Sequence, residues 1–142
     1  MEDIIDFADI SDIRILLIDS NPEDAQTFIS TCDKSISNTQ ISVTKSLRES
    51  LKILKTQLFD MIFMDLNITD SVGPNSVHEI HKEVPEIPLI VTTGIPCSIT
   101  KEECQKFGAL GVIQKSSITG QLVATFLEKM GQDVQYKTLK NK

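Results

Sequence analysis

Four short apolar runs in this chain lead to residues that could take part in phosphoryl chemistry. Asp19 and Asp65 end two of the runs, Thr92 and Thr93 end a third, and Lys115 follows the last. Two carboxylates that lie close together repel each other, which either raises the pKa of one of them or favours a bound cation, and an all-oxygen ligand set favours Mg²⁺. Aspartate can attack phosphorus, lysine can balance the developing charge, and threonine can donate to a phosphoryl oxygen. We therefore predict that Asp65 is the nucleophile, assisted by Lys115 and Thr93.

This chemistry requires the ends of the runs to meet at one edge of one sheet. The runs at 13–18, 61–64, 88–91 and 112–113 are nearly continuous in apolar residues. Runs of this kind predict β-strands that are covered on both faces. Thr39–Thr44 alternates between polar and apolar residues instead, which predicts an edge strand with one face in water.

Helical signals separate these strands. Pro22 suits the first turn of a helix, and Ser46 and Glu49 have the spacing of a capping box. Gly108 and Gly131 are typical of helix ends. Together with the apolar periodicity, these signals predict five helices, at about 22–32, 46–54, 77–84, 100–107 and 122–130.

Five alternations of strand and helix predict a doubly wound α/β fold. Its five-stranded parallel sheet should have the strand order 2-1-3-4-5, with helices on both faces. Ligands of such sheets bind at the carboxyl ends of the strands, where the strand order reverses. Asp19 and Asp65 should flank that point.

Length and charge restrict the class of protein. With 142 residues, of which 40% are hydrophobic, we expect one domain at 13–131 and tails at 1–12 and 132–142. The net charge of -6 disfavours direct binding to nucleic acid or to an anionic membrane. Three cysteines without a CxxC pair, and no signal-peptide pattern, indicate a reduced, cytoplasmic protein.

Four motifs in order make the chain similar to the response-regulator receiver family over roughly 13–130. They are ILLIDSNPED at 15–24, MDLNITDS at 64–71, VTTG at 91–94 and GALGVIQK at 108–115. The resemblance implies a flavodoxin-like fold with Asp65 as the phosphoacceptor and Asp19 as the first member of an acidic pair. It further implies that the backbone carbonyl of Asn67 is a ligand of Mg²⁺. Thr93 and Lys115 match the switch hydroxyl and the active-site lysine of the family.

The same resemblance implies a stand-alone response regulator in a two-component system. A histidine kinase or a histidine phosphotransfer protein would donate the phosphoryl group, and a downstream effector protein would read the result. Its chemistry would be limited to its own phosphorylation and dephosphorylation.

Four positions depart from the family pattern. Ser20 stands where a second acidic metal ligand is usual, so we expect Mg²⁺ to bind weakly. Val112 occupies the position of the aromatic switch, which puts signalling through a swinging ring in doubt. Ser116 replaces the proline after the lysine, so we predict a trans peptide bond there. Ile95 is apolar where a polar residue could position water, which predicts slow loss of the phosphoryl group.

Other interpretations stay open. Ser20, Val112 and Ser116 also suit a pseudo-receiver that binds partners without phosphate. A phosphatase of the haloacid dehalogenase kind would need an aspartate at the position of Asn67 and a cap insertion. Asp65 could instead cap a loop, and Asp19 could cap the first helix. His78 and His81 share a helix face but lack an evident third metal ligand.

Overall fold

A five-stranded parallel sheet forms the centre of the protein, in a computed structural model that describes residues 12–94 and 98–137. The chain order of the strands is β1 Ile13–Ile18, β2 Thr39–Thr44, β3 Met61–Asp65, β4 Asn67–Ile68, β5 Ser71–Val72, β6 Leu89–Thr93 and β7 Gly111–Gln114. The central sheet has the order β2-β1-β3-β6-β7, and β4 and β5 form a separate antiparallel pair. Without that pair, the order is the predicted 2-1-3-4-5, which confirms the doubly wound fold.

Helices cover both faces of this sheet. They are α1 Pro22–Ser35, α2 Leu47–Leu54, α3 Asn75–Glu83, α4 Ser98–Lys106 and α5 Gly120–Lys129, with a short 3₁₀ helix at Lys115–Ser117. Within the described residues, no helix is both long and apolar enough to cross a membrane.

Strand residues alternate between two apolar cores. In β1, Ile15 and Leu17 pack with residues of α1 and α5, whereas Leu16 and Ile18 pack with residues of α2, α3 and α4. All four side chains are almost fully buried. The sequence run is continuously apolar because a strand covered on both faces has no side that contacts water. The edge strand β2 is confirmed, since only Thr44 in it is fully buried.

The helix ends follow the sequence signals closely. The Asn21 side chain caps α1 by accepting hydrogen bonds from the backbone N–H groups of Glu23 at 2.9 Å and Asp24 at 3.1 Å. Ser46 caps α2 by accepting from Glu49 N–H at 3.0 Å. The first helix runs to Ser35 and not only to about Cys32, because Cys32 is a buried core residue one turn before the end.

Two features were not predicted from the sequence. One is the β4–β5 hairpin, which directly follows the strand that carries Asp65. The other is the docking of residues 132–137, which the sequence analysis treated as the start of a tail. Tyr136 forms a β-bridge with Ile36, and Val134 is buried. The tail residues 1–11 and 138–142, and the Ile95 and Cys97 positions, lie outside the described residues.

Candidate functional site

Lys115 is at the centre of a cluster of three carboxylates at the carboxyl ends of the strands. Its Nζ lies 2.9 Å from Asp19 Oδ2, 2.7 Å from Asp24 Oδ2 and 2.8 Å from Asp65 Oδ2. The lysine comes from the end of β7, and Asp19 and Asp65 come from the ends of β1 and β3. Parallel strands bring these ends to one edge, which is why residues so distant in sequence meet here.

The ammonium of Lys115 is firmly held in its charged form. Burial acts to lower its pKa, but hydrogen bonds to the carboxylates of Asp24, Asp65 and Asp19 outweigh burial, so the pKa of Lys115 lies above its usual value. Three carboxylates against one ammonium leave the cluster with a net charge of about -2. The site thus retains negative charge that a cation could neutralise.

Asp19 is the most buried carboxylate of the cluster, with 3% of its side chain exposed. Its second oxygen, Oδ1, accepts a hydrogen bond from the backbone N–H of Asn21 at 2.9 Å. The side-chain cap of α1 is therefore Asn21, while Asp19 fixes the turn that leads to it. Asp19 thus has both a local structural contact and a place in the charged cluster.

Asp65 is held on both of its oxygens. Oδ2 accepts from Lys115, and Oδ1 accepts from the backbone N–H of Asn67 at 3.1 Å. The side chain is 15% exposed, so it is accessible at the rim while its orientation is fixed. A fixed, partly desolvated carboxylate beside an ammonium is suited to attack on phosphorus, because the cation offsets the charge of the incoming group.

Ser20 contacts the same loop as Asp65. Its hydroxyl donates to the backbone carbonyl of Asn67 at 3.3 Å. This carbonyl is the one that the family resemblance assigns to the metal. With serine at this position, the site has one carboxylate fewer than the family pattern. The hydroxyl also donates a hydrogen bond to a predicted metal ligand.

The threonines at the end of β6 differ from each other. Thr92 pairs with Asp65 across β3 and β6, and it is almost fully buried. Thr93 is half-buried, at the rim of the sheet opposite Gln114. Beside Gly94 the space is open, since an added methyl group would meet no heavy atom within 4 Å among the described residues. Thr93 thus lies on the same rim as Asp65, beside an open position.

Asp24 is the member of the cluster that sequence reasoning missed. In the sequence, an acidic residue in the first turn of α1 is already explained by the helix dipole, which favours negative charge there. Its side chain is 43% exposed and pairs with Lys115 from the helix side. The available signal was its spacing from Asn21, because a residue three positions after a helix cap is one turn along and can face the strand end that the cap adjoins.

The donor atoms at this rim suit Mg²⁺ in kind, because carboxylates and a backbone carbonyl are hard oxygen ligands. Asp19, Asp65 and the Asn67 carbonyl would hold the ion. Within the described part of the chain, no three His, Cys, Asp or Glu side chains are arranged as a metal-binding group. The Lys115 ammonium sits between the carboxylates, and it balances part of their charge in the arrangement described here.

Val112 and Ser116, which depart from the family pattern in sequence, lie in β7 and in the loop after it. Val112 is half-buried in β7 and packs against the core on the α2, α3 and α4 side. The described residues contain no cis peptide bond, which confirms the trans bond predicted before Ser116. The loop after β7 forms the 3₁₀ helix Lys115–Ser117.

The described histidines and cysteines, which are His78, His81, Cys32 and Cys104, are not members of the carboxylate cluster. The ring of His78 packs on Phe107 with centroids 5.7 Å apart, and His81 lies against Gly108, where an added Cβ would come within 2.4 Å of its ring. Burial raises the pKa of Cys32 to about 12, so its thiol stays neutral. Neither observation supports a metal or redox role for these residues.

Comparison with known proteins fits this geometry. A family model for the response regulator receiver domain matches residues 15–127. The chain belongs to this family. Receiver domains of response regulators take part in two-component signalling, and they generally bind Mg²⁺ and interact with kinases and effectors.

Individual relatives agree with the family assignment. The transcriptional regulatory protein ZraR of Escherichia coli strain K12 is 30% identical over 89 residues, which is 63% of this chain and 20% of that protein. The chain thus spans about a fifth of the length of this relative.

Solved structures support the fold alone, because their sequence identities are low. A CheY-like receiver domain protein from Methanospirillum hungatei JF-1 has a TM-score of 0.74 and 20% identity, covering 84% of this chain and 94% of that one. A response regulator from Burkholderia pseudomallei, solved with a phosphorylated aspartic acid, a calcium ion and citrate, has a TM-score of 0.71 and 22% identity. It covers 82% of this chain and 66% of that one.

Proposed function

We propose that the protein is a response regulator that accepts a phosphoryl group on Asp65 and signals through protein contacts. The single observation that carries this proposal is the contact of Lys115 Nζ with Asp65 Oδ2 at 2.8 Å, within a cluster that also contains Asp19. A nucleophile, a fixed cation and a second carboxylate on one rim are the parts that phosphoryl transfer needs.

In the proposed reaction, a carboxylate oxygen of Asp65 attacks the phosphorus of a phosphohistidine. The P–N bond breaks, an acyl phosphate forms on Asp65, and the imidazole leaves with its electron pair and takes up a proton. Lys115 balances charge on the phosphoryl oxygens, and Thr93 donates a hydrogen bond to one of them. Mg²⁺, when held by Asp19, Asp65 and the Asn67 carbonyl, would supply further charge neutralisation.

The proposed partners follow from this chemistry. A histidine kinase or a histidine phosphotransfer protein is the donor, and a downstream effector protein is the receiver of the signal. The phosphorylated aspartate of the Burkholderia pseudomallei relative supports the choice of an aspartate as acceptor. A cytoplasmic location is part of the proposal, because Cys32 and Cys104 are free, buried thiols, as is usual in reducing compartments.

Intact-mass analysis after incubation with Mg²⁺ and acetyl phosphate tests the proposal. We expect one added phosphoryl group on the natural chain and none on Asp65→Asn. Asp33→Asn is the matched control, because Asp33 is exposed on α1 and lies outside the cluster. Labelling of Asp65→Asn, or equal loss of labelling in Asp33→Asn, would contradict the assignment of Asp65.

A second function, phosphate-independent binding by a pseudo-receiver, is favoured by a specific observation. The Ser20 hydroxyl donates to the Asn67 carbonyl, and Lys115 already satisfies one oxygen of each carboxylate. The rim is therefore held together without metal or phosphate. If the natural chain takes up no phosphoryl group and Ser20→Asp does, this second function is the correct one.

A further inference from the structure

A cavity next to the carboxylate cluster is not used by the proposed phosphoryl chemistry. It lies on the α1 and α5 side of the sheet and has a volume of about 250 Å³. Its polar wall includes Asp19, Asp24 and Lys115, and its apolar wall includes Leu17, Phe28 and Ile118. Asp65, the proposed phosphoacceptor, does not line it. The cavity is thus adjacent to the proposed phosphorylation site without including Asp65.

The inner wall of the cavity is made of buried residues. Leu17, Phe28 and Thr92, which line it, have exposed fractions of 1%, 5% and 2%. The Thr92 hydroxyl oxygen is buried and has no hydrogen-bond partner among the described residues. A buried polar atom without a partner costs free energy, so the threonine side chain is a place where a ligand or water could contribute a hydrogen bond.

The charge around the cavity favours a cationic ligand over an anionic one. Asp19 and Asp24 in its wall outnumber Lys115, and the ammonium of Lys115 is already bonded to three carboxylates. An anion would meet this negative excess without a free cation to receive it, whereas a ligand ammonium at Asp24 would reduce it. The Asp24 side chain is 43% exposed, so a charged group beside it can stay partly hydrated.

We propose that this cavity binds a small organic cation, with an apolar body against Leu17, Phe28 and Ile118 and an ammonium group at Asp24. A volume of 250 Å³ admits a body of the size of one aromatic ring with a short chain. Because the cavity shares Asp19 and Lys115 with the rim, occupancy would bear on the same charged cluster. The proposal does not depend on phosphorylation of Asp65.

Titration of the isotope-labelled full chain, followed by amide chemical shifts, tests the proposal with three probes of similar shape. Phenethylamine is the cation, phenethyl alcohol is neutral and hydrocinnamate is the anion. We expect saturable shifts at cavity-lining amides, with binding of the cation about tenfold tighter than that of the alcohol and no measurable binding of the anion. Equal binding of all three probes, a preference for the anion, or a cavity that holds only water and gives no shifts would overturn the proposal.

Two pairs of variants locate the binding. Thr31→Leu fills the cavity from α1 and should abolish binding, whereas Ser30→Leu adds similar bulk to the same helix outside the cavity. Asp24→Asn should weaken phenethylamine about tenfold without affecting phenethyl alcohol. Glu23→Gln, an exposed neighbour outside the cavity, should leave both probes unchanged. Unaltered binding in Thr31→Leu and Asp24→Asn would show that the probe binds elsewhere and that the assignment is wrong.

Discussion

Ser20 is the residue that most changes the chemistry of this site. Its hydroxyl is neutral, and it donates a hydrogen bond to the Asn67 carbonyl, which the proposed function assigns to Mg²⁺. Ser20→Asp adds a carboxylate beside Asp19 and Asp65, and we expect Mg²⁺ affinity to rise about tenfold or more. Isothermal titration with Mg²⁺ measures this.

The matched variant for that experiment is Ser20→Ala. It frees the Asn67 carbonyl without adding charge, so we expect a much smaller gain in Mg²⁺ affinity than with Ser20→Asp. If both variants bind Mg²⁺ equally well, the hydrogen bond to Asn67 limits the site and not the missing charge. If neither differs from the natural chain, Ser20 has no bearing on the metal.

Lys115 should affect metal binding and phosphorylation in opposite directions. Lys115→Met removes the ammonium that lies within 2.9 Å of three carboxylates, so the net charge of the cluster falls from about -2 to about -3. We therefore expect tighter Mg²⁺ binding but slower phosphorylation, because the charge of the phosphoryl group is no longer balanced. Parallel Mg²⁺ titration and acetyl phosphate labelling separate the two effects. Lys34→Met, exposed on α1, is the control, and a parallel fall in both quantities would indicate a structural defect.

The sequence predicted which strand ends would meet, but it did not predict every contact made there. Asp19, Asp65 and Lys115 come together because continuous apolar runs locate three buried parallel strands, and the topology then brings their carboxyl ends to one edge. Asp24 was not predicted because the helix dipole already explains an acidic residue in a first helical turn, although its spacing from Asn21 places it one turn along, toward the strand ends. The chemical roles of these residues stay predictions.

At the scale of elements, the β4–β5 hairpin links the loop after Asp65 to the start of α2. Asp70 lies between the two hairpin strands, and its carboxylate accepts hydrogen bonds from the backbone N–H of Leu47 at 2.6 Å and of Arg48 at 3.1 Å. The backbone N–H of Thr69 also donates to Lys45 at 3.2 Å. The hairpin was not predicted from the sequence, because its strands have two residues each and are too short to show alternation of polar and apolar residues.

The contact of Asp70 with α2 should contribute stability that depends on pH. The N–H of Leu47 lowers the pKa of Asp70 below its ordinary value of 3.8, and the N–H of Arg48 adds to this. A carboxylate with a lower pKa in the folded state stabilises the fold above the unfolded pKa and loses this contribution as pH falls through the folded pKa. Because Asp70 is exposed and solvent screens its charge, we expect Asp70→Ala to lower the free energy of unfolding by only about 0.5 kcal/mol near neutral pH.

Urea denaturation of the natural chain and of Asp70→Ala, from about pH 7 down to about pH 3, measures this contribution. The difference between the two proteins should shrink toward the acid end. Asp33→Ala is the control, because Asp33 is exposed on α1. A difference in the free energy of unfolding that stays constant with pH would mean that the contact of Asp70 with α2 does not depend on the charge of Asp70.

At the scale of the whole molecule, residues 132–137 pack at the end of the sheet opposite the site. The buried side chain of Asn38, just before β2, donates to the Asp133 carbonyl at 3.0 Å and accepts from the Gln135 N–H at 2.8 Å. Lys137 N–H donates to Ser35 at 2.9 Å, at the end of α1. We therefore propose that the folded domain extends beyond 131 to Lys137. The polar composition of 132–142 does not predict this extension, because the contacts of the segment are mostly made by its backbone.

Val134 provides the test of that extended boundary. It is the buried apolar side chain of the segment, 9% exposed, and it packs with the core between the sheet and α1 and α5. Val134→Ala removes two buried carbon atoms, so we expect the free energy of unfolding in urea to fall by about 1.5 kcal/mol. Lys137→Ala truncates an exposed side chain of the same segment but keeps its backbone hydrogen bond to Ser35, and it should have no effect. If Val134→Ala is as stable as Lys137→Ala, the segment behaves as a tail in solution and the domain ends at 131.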